Sequence, residues 1–249
     1  MIFRQLFDPG SSTYTYLIGC AETGRAVLID PVLESLARDL GVLDALDLRL
    51  AWTVETHVHA DHVSAGAALR AQTGCRVACP AGEAVDGADL ALVEGEPLTF
   101  GSIHLAPLAT PGHTRGHLSF RLDRGPLPMV FTGDTLLIDG CGRTDFQGGD
   151  AATLFRSIHA KLFSLPDDTL VYPGHDYQGR RVTTIAQERQ RNPRVGGAKS
   201  LDEFVVLMAG LGLPYPKRMD EAVPANQRVG VSHAAGVAFV PERALSWSV

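Results

Sequence analysis

The 249 residues predict an α/β fold, one domain of mixed strands and helices, and three observations carry that expectation. Short apolar runs of strand character interleave with segments whose apolar residues recur at helical spacing. Histidine and aspartate residues stand just past the ends of the strand-like runs, where loops on α/β scaffolds carry chemistry. Hydrophobic residues make up 45% and charged residues 20%, the balance of a globular protein long enough for one sizeable core.

Residues 2–31 alternate apolar runs with turn signals at Asp8-Pro9-Gly10 and Thr23-Gly24, and end in an apolar strand halted by Pro31. Residues 33–46 place Leu36, Leu40 and Leu43 at helical spacing. Leu50 to Val54 is a short strand, and a histidine-rich run begins where it stops. Helical character resumes over 61–73, with Gly74 as the stop. Strands are expected near 76–79, 97–108 and 117–122, followed by a buried strand from Met129 that ends at Gly133-Asp134. A helix over 151–163, a strand over 169–173 and a helix over 179–191 complete the main domain, residues 1–192. Residues 193–249 read as an extension packed on it, irregular at Pro214, Pro216 and Pro224 apart from a short helix at 201–210.

Several classes are excluded. A net charge of −6 argues against nucleic-acid binding, which needs a basic patch to meet phosphates. No run of about 18 apolar residues suits a membrane span. The start, Met1-Ile2-Phe3-Arg4, lacks the pattern of a signal or transit peptide, so a cytoplasmic setting is expected. Cys75 and Cys79 lie four residues apart on one strand, a span of about 13 Å, too long for a disulfide whose Cα atoms lie about 4.4–6.8 Å apart. Cys20, Cys75, Cys79 and Cys141 are therefore read as reduced thiols.

Chemistry concentrates in Thr56-His57-Val58-His59-Ala60-Asp61-His62. A strand end delivers His57 and His59, and a tight turn brings Asp61 and His62 round. Neutral imidazoles and carboxylates together suit a transition metal. A polar helix start would account for Asp61 but not for three histidines. His113 in Pro111-Gly112-His113, Asp134 after Thr132-Gly133, and His175 after Pro173-Gly174 offer further ligands in the same strand-end context. These residues by themselves favour two metals.

In this order, His-x-His-x-Asp-His, Gly-His-Thr, Thr-Gly-Asp and Gly-His resemble the metallo-β-lactamase superfamily. The resemblance implies an αββα sandwich, two packed mixed β-sheets flanked by helices, with the metal site at one edge. In the superfamily's two-metal pattern, one site would take His57, His59 and His113, the other Asp61, His62 and His175, with Asp134 bridging. Phe3-Arg4-Gln5-Leu6-Phe7, Leu28-Ile29-Asp30-Pro31-Val32, Gly140 to Gln147, His175-Asp176-Tyr177, Asn192-Pro193-Arg194 and Ala222-Val223-Pro224-Ala225-Asn226 narrow it. They resemble the persulfide dioxygenases, from about residue 2 to 231.

That family resemblance implies one Fe(II) per chain on His57, His113 and Asp134, with His59, Asp61, His62 and His175 orienting ligands and water around it. It implies oxidation of glutathione persulfide by O2 to sulfite and glutathione, a step of sulfide oxidation, in a homodimer. Arg143, Tyr177 and, beside Lys217, Arg218 match the expected glutathione contacts. A salt bridge from Arg143 to Asp145 is the alternative there. Gly174 stands where the family usually has alanine, a change expected to spare the ligand, and Val229 replaces a cysteine that some members carry. The rival enzyme is a glyoxalase II-type thioester hydrolase with two metals, although the long helical C-terminal domain of such hydrolases is missing here. A non-catalytic partner or metal sensor would not need a complete ligand set with open positions.

Overall fold

The computed structural model describes residues 1–231. Its elements run β1 (Ile2–Asp8), β2 (Thr13–Gly19), β3 (Arg25–Ile29), α1 (Leu36–Ala45), β4 (Arg49–Val54), α2 (Gly66–Thr73), β5 (Arg76–Pro80) and β6 (Leu90–Leu92). The second half comprises β7 (Leu98–Phe100), β8 (Ile103–Ala109), β9 (Leu118–Leu122), β10 (Met129–Gly133), α3 (Ala151–Ser157), β11 (Leu170–Pro173), β12 (Thr183–Thr184), α4 (Ile185–Arg191), α5 (Leu201–Ala209) and α6 (Met219–Asn226). Two six-stranded sheets result, ordered β1 to β6 and β12 to β7. Both are mixed: β3, β4, β5 and β6 pair in parallel, as do β10 and β11, and the remaining neighbours are antiparallel.

The sheets face each other across one apolar core. Tyr16, Val27, Ile29, Trp52 and Val54 from the first meet Phe100, Ile103, Leu105, Phe120 and Phe131 from the second. The outer face of the first sheet, Leu17 and Leu28, packs on Leu43 of α1 and Leu69 of α2. The outer face of the second, Val130 and Val171, packs on Leu154 of α3 and Phe204 and Met208 of α5. Each helix buries one apolar stripe, so the αββα layering follows from where those stripes find a sheet. Phe3, Tyr16, Phe131 and Tyr172 form an aromatic group at the end of the core, with Tyr16 and Phe131 centroids 4.9 Å apart.

Four departures from the sequence expectations have local causes. Residues 61–65 are not helical: Ala65 N–H donates to the Pro31 carbonyl and Val63 C=O accepts from Leu33, which removes them from any helical ladder, and α2 starts at Gly66. The strand expected over 97–108 is the hairpin β7–β8, turned at Gly101 with φ +61°. The helix expected over 179–191 begins only at Ile185, because Thr183 and Thr184 pair with β11 and Thr184 caps Gln187 N–H at 3.2 Å. Residues 219–226 form α6 despite Pro224, since buried Ala222 and Ala225 pack on Val63. Gly74 does close α2, with φ +72°. Residues 232–249 of the expected extension lie outside the described residues.

One buried carboxylate gives the fold a pH signature. Asp39 on α1 is fully buried; its Oδ1 accepts from Arg38 Nε at 2.8 Å, while Oδ2 has no partner among the described residues. Burial outweighs Arg38 and pushes its pKa up to about 6. The folded protein therefore holds this proton more tightly than the unfolded chain, whose aspartate titrates near 3.8. The penalty is absent below that value, grows as pH rises and is complete above about 6. Asp39→Asn is expected to raise the melting temperature at pH 8, by up to about 3 kcal/mol of stability, with the gain vanishing towards pH 4. Thermal melts of both proteins across that range check it.

Candidate metal centre

The ends of β4, β8, β10 and β11 converge, and each releases a ligand-type side chain within four residues: His57, His113, Asp134 and His175. The ligand atoms of His57, His113 and Asp134 all lie within 4.8 Å of one another, with His113 Nε2 at 3.6 Å from Asp134 Oδ2. Asp134 Oδ1 is buried with no hydrogen-bond partner among the described residues, the condition of an oxygen awaiting a cation. Two imidazoles and a carboxylate placed this way fit a divalent transition metal.

The groups behind the imidazoles decide which nitrogen is free to face a metal. His113 Nδ1–H donates to the Arg143 carbonyl at 2.7 Å, so Nε2 keeps its lone pair. Thr56 gives its hydroxyl proton to Asp30 Oδ2 at 2.9 Å, so Thr56 Oγ1 accepts from His57 Nδ1–H at 2.9 Å. His57 Nε2 is thereby left free. Burial, with His59 and His113 nearby, holds the His57 pKa well below the usual value, which keeps it neutral and able to ligate.

Asp134 is placed from its backbone. Its N–H donates to His117 Nε2 at 3.2 Å, and His117 Nδ1–H reaches Thr135 Oγ1 at 3.0 Å. Gly133 permits this approach: with φ +46°, a Cβ there would lie 2.6 Å from Thr56 Oγ1 and 2.7 Å from His117 Nε2. His117 is not among the residues singled out from the sequence. Its one signal was its recurrence four residues after His113, just before β9.

A second group adjoins the first. The ligand atoms of His59, Asp61 and His62 also lie within 4.8 Å of one another, with Asp61 Oδ2 at 2.9 Å from His62 Nδ1. His175 Nε2 stands between the groups, 3.5 Å from Asp134 Oδ1 and 3.6 Å from Asp61 Oδ2. Burial would raise the pKa of Asp61, but His62 and His175 hold it well below the usual carboxylate range. His59 Nε2 faces away, to Asp30 Oδ1 at 3.1 Å and Glu55 Oε2 at 3.3 Å. Seven sequence-selected residues thus meet at one place.

A cleft of about 580 Å³ opens over the centre, lined by His57, His113, Asp134, His175, Tyr177 and Arg143. Tyr177 is 77% exposed, its ring parallel to that of His175 at 6.0 Å. Arg143 forms the salt bridge anticipated as its alternative: Nε and Nη2 hold Asp145 at 2.7 and 2.8 Å, and Nη1 and Nη2 bond the Pro214 and Leu213 carbonyls. Four of its five N–H donors are engaged. Arg218 is likewise tied, to Glu34 at 2.6 Å and Glu221 at 3.1 Å. Lys217 and Arg194 also line the cleft, and neither pairs with a carboxylate among the described residues; the Arg194 guanidinium donates to the Cys141 carbonyl at 2.7 Å. Gly174 leaves His175 facing the site, and a Cβ at this position would lie 2.6 Å from Asp134 Oδ1.

The metallo-beta-lactamase superfamily profile matches residues 8–175. The mitochondrial persulfide dioxygenase ETHE1 of Homo sapiens is 48% identical over 232 residues, covering 93% of this chain and 89% of that protein. The chain belongs to the persulfide dioxygenase family of the metallo-beta-lactamase superfamily. The crystal structure of ETHE1 from Myxococcus xanthus superposes on this family member with a TM-score of 0.89 at 52% identity, covering 92% of this chain and 100% of that one. A hydroxyacylglutathione hydrolase of Polaromonas is 36% identical over 76% of this chain and 70% of its own length. No described helix of the family member is long and apolar enough to cross a membrane.

His117→Ala is expected to lower metal affinity about 10–100-fold, the usual effect of losing a group that supports a ligand. Titration of the metal-free protein with Fe(II) under argon checks it.

Proposed function

We propose that the chain is a persulfide dioxygenase that oxidises glutathione persulfide at one Fe(II) held by His57, His113 and Asp134. The observation that carries this reading is the convergence of two imidazoles and one carboxylate below an open cleft. That donor set with free positions suits non-haem Fe(II) and oxygen chemistry. The kinship with persulfide dioxygenases over 93% of the chain supports it.

Glutathione persulfide, O2 and water become glutathione, sulfite and two protons. The terminal sulfur loses four electrons to O2, both oxygen atoms of O2 pass to that sulfur, and water supplies the third. Fe(II) bound by the three ligands supplies the electron transfer that O2 needs to react with sulfur. The chain's own part is positioning. Asp30 with Thr56, and the Arg143 carbonyl, hold the imidazoles in their ligating tautomers. The cleft takes the tripeptide, with cationic side chains for its carboxylates and the exposed Tyr177 ring at the mouth.

Protein purified without oxygen is expected to hold one iron per chain and to take up O2 with glutathione persulfide. Loss of any of His57, His113 or Asp134 to alanine is expected to strip the iron. Two tightly bound zincs, with full activity in that state, overturn the reading. Arg143→Ala is expected to raise KM for the persulfide while leaving iron content unchanged. A charge-assisted contact of about 1.5–3 kcal/mol corresponds to roughly ten- to a hundredfold. An unchanged KM with a lower melting temperature would make Arg143 a salt-bridge residue alone.

A second reading has one observation behind it: Asp61, His62 and His175 stand together beside the first site, as the second ligand set of a two-metal hydroxyacylglutathione hydrolase would. His175→Ala separates the two. The dioxygenase is expected to keep its iron and part of its O2 uptake. A hydrolase would instead lose one of two metals together with S-lactoylglutathione cleavage.

A further inference from the structure

The segment from Ala222 to Asn226 carries no metal ligand, yet it is packed directly behind the metal loop. That loop, residues 55–65 between β4 and α2, has neither helix nor strand ladder to occupy its backbone groups. Three of those groups turn to one side chain. Asn226 Nδ2 donates to the His59 carbonyl at 2.9 Å and to the His62 carbonyl at 2.8 Å, and Asn226 Oδ1 accepts from Ser64 N–H at 2.8 Å. The amide is 5% exposed, so water cannot readily take its place.

We propose that Asn226 is a positioning residue of the metal centre, setting the path of the His57–His62 loop and through it the metal affinity. This inference rests on the metal reading of His57, His113 and Asp134 but not on the oxygen chemistry. Two carbonyls and one N–H demand two donors and one acceptor on a single short side chain, and only an amide offers that set. Aspartate has the same shape but would face both carbonyls without a proton to give. The helix itself is held at both ends. Arg218 ties its start to Glu34 at 2.6 Å, and Ala67 N–H reaches the Val229 carbonyl at 2.9 Å just past its end. Between these points Ala222 and Ala225 pack on Val63 of the loop. Asn226 therefore stands on a fixed base, and a change at its amide is transmitted to the loop rather than absorbed by the helix.

The test compares anaerobic Fe(II) titrations, against a competing chelator, of the wild type, Asn226→Asp and Val223→Gly. The last loosens α6 at a side chain outside the cluster of Val63, Ala222 and Ala225. Melting temperatures of the metal-free forms measure global stability alongside. Asn226→Asp is expected to bind Fe(II) about 10–100-fold more weakly, while Val223→Gly melts earlier but binds close to wild type. Wild-type affinity in Asn226→Asp overturns the proposal, and so does an equal loss in Val223→Gly. If Asn226→Asp does not fold, Asn226→Ala removes the same donors without adding charge and is judged by the same two criteria. Because the readout is metal affinity, tight Fe(II) binding by Asn226→Asp would sink this inference and leave the dioxygenase reading standing.

Discussion

A neutral imidazole ligates a metal through one nitrogen while the other keeps its proton, and much of this molecule supplies hydrogen-bond acceptors for those N–H groups. Behind His57 the chain of acceptors runs through Thr56 to Asp30 at the end of β3. Behind His113 it is the carbonyl of Arg143, thirty residues on. Behind Asp134 it is His117 just before β9. Each supporting group sits on a different strand or loop, so the ligand geometry depends on the two sheets meeting in the observed register. An error of one residue would point every inward side chain of a strand to the wrong face.

The same constraint explains the irregular backbone near the site. The loop after β4 abandons helical pairing so that Asp61 and His62 can turn inward, and its free carbonyls are then satisfied from α6. A close approach that a Cβ would disturb occurs at Gly133, against Thr56 and the His117 ring that receives the Asp134 N–H. Residues with no chemistry of their own thus determine how near the ligands come to one another. The proline within α6 is tolerated because the helix is held by packing and by its ends rather than by an unbroken ladder.

Electrostatics divides the cleft in two. At the candidate metal centre, burial and neighbouring imidazoles lower the His57 pKa, while His62 and His175 hold Asp61 in its charged form. Around the mouth, four cations gather in a protein of net charge −6. Two of them, Arg143 and Arg218, are bound to carboxylates of the protein itself, while Lys217 and Arg194 have no such partner among the described residues. Arg143 also anchors the segment at Leu213 and Pro214 that walls the cleft, so its side chain shapes the cavity as well as charging it.

The sequence by itself determined the candidate ligand set and the architecture. His57, His59, Asp61 and His62 sit close along the chain, and His113, Asp134 and His175 each follow a recognisable strand end, so their local patterns survive without tertiary information. The α/β alternation was legible for the same reason, since apolar periodicity reports which residues face inward. What depended on partners distant in sequence was not legible. His117, Asp30 and Asn226 act through hydrogen bonds to groups 17, 26 and 162 or more residues away, and no local pattern encodes such a pairing. The Arg143–Asp145 salt bridge was only the alternative reading, and the chain around Pro224 was read as irregular, for the same reason. Only the tertiary structure decides these, because a hydrogen bond is made by position in space, whereas spacing along a chain fixes position only within one element.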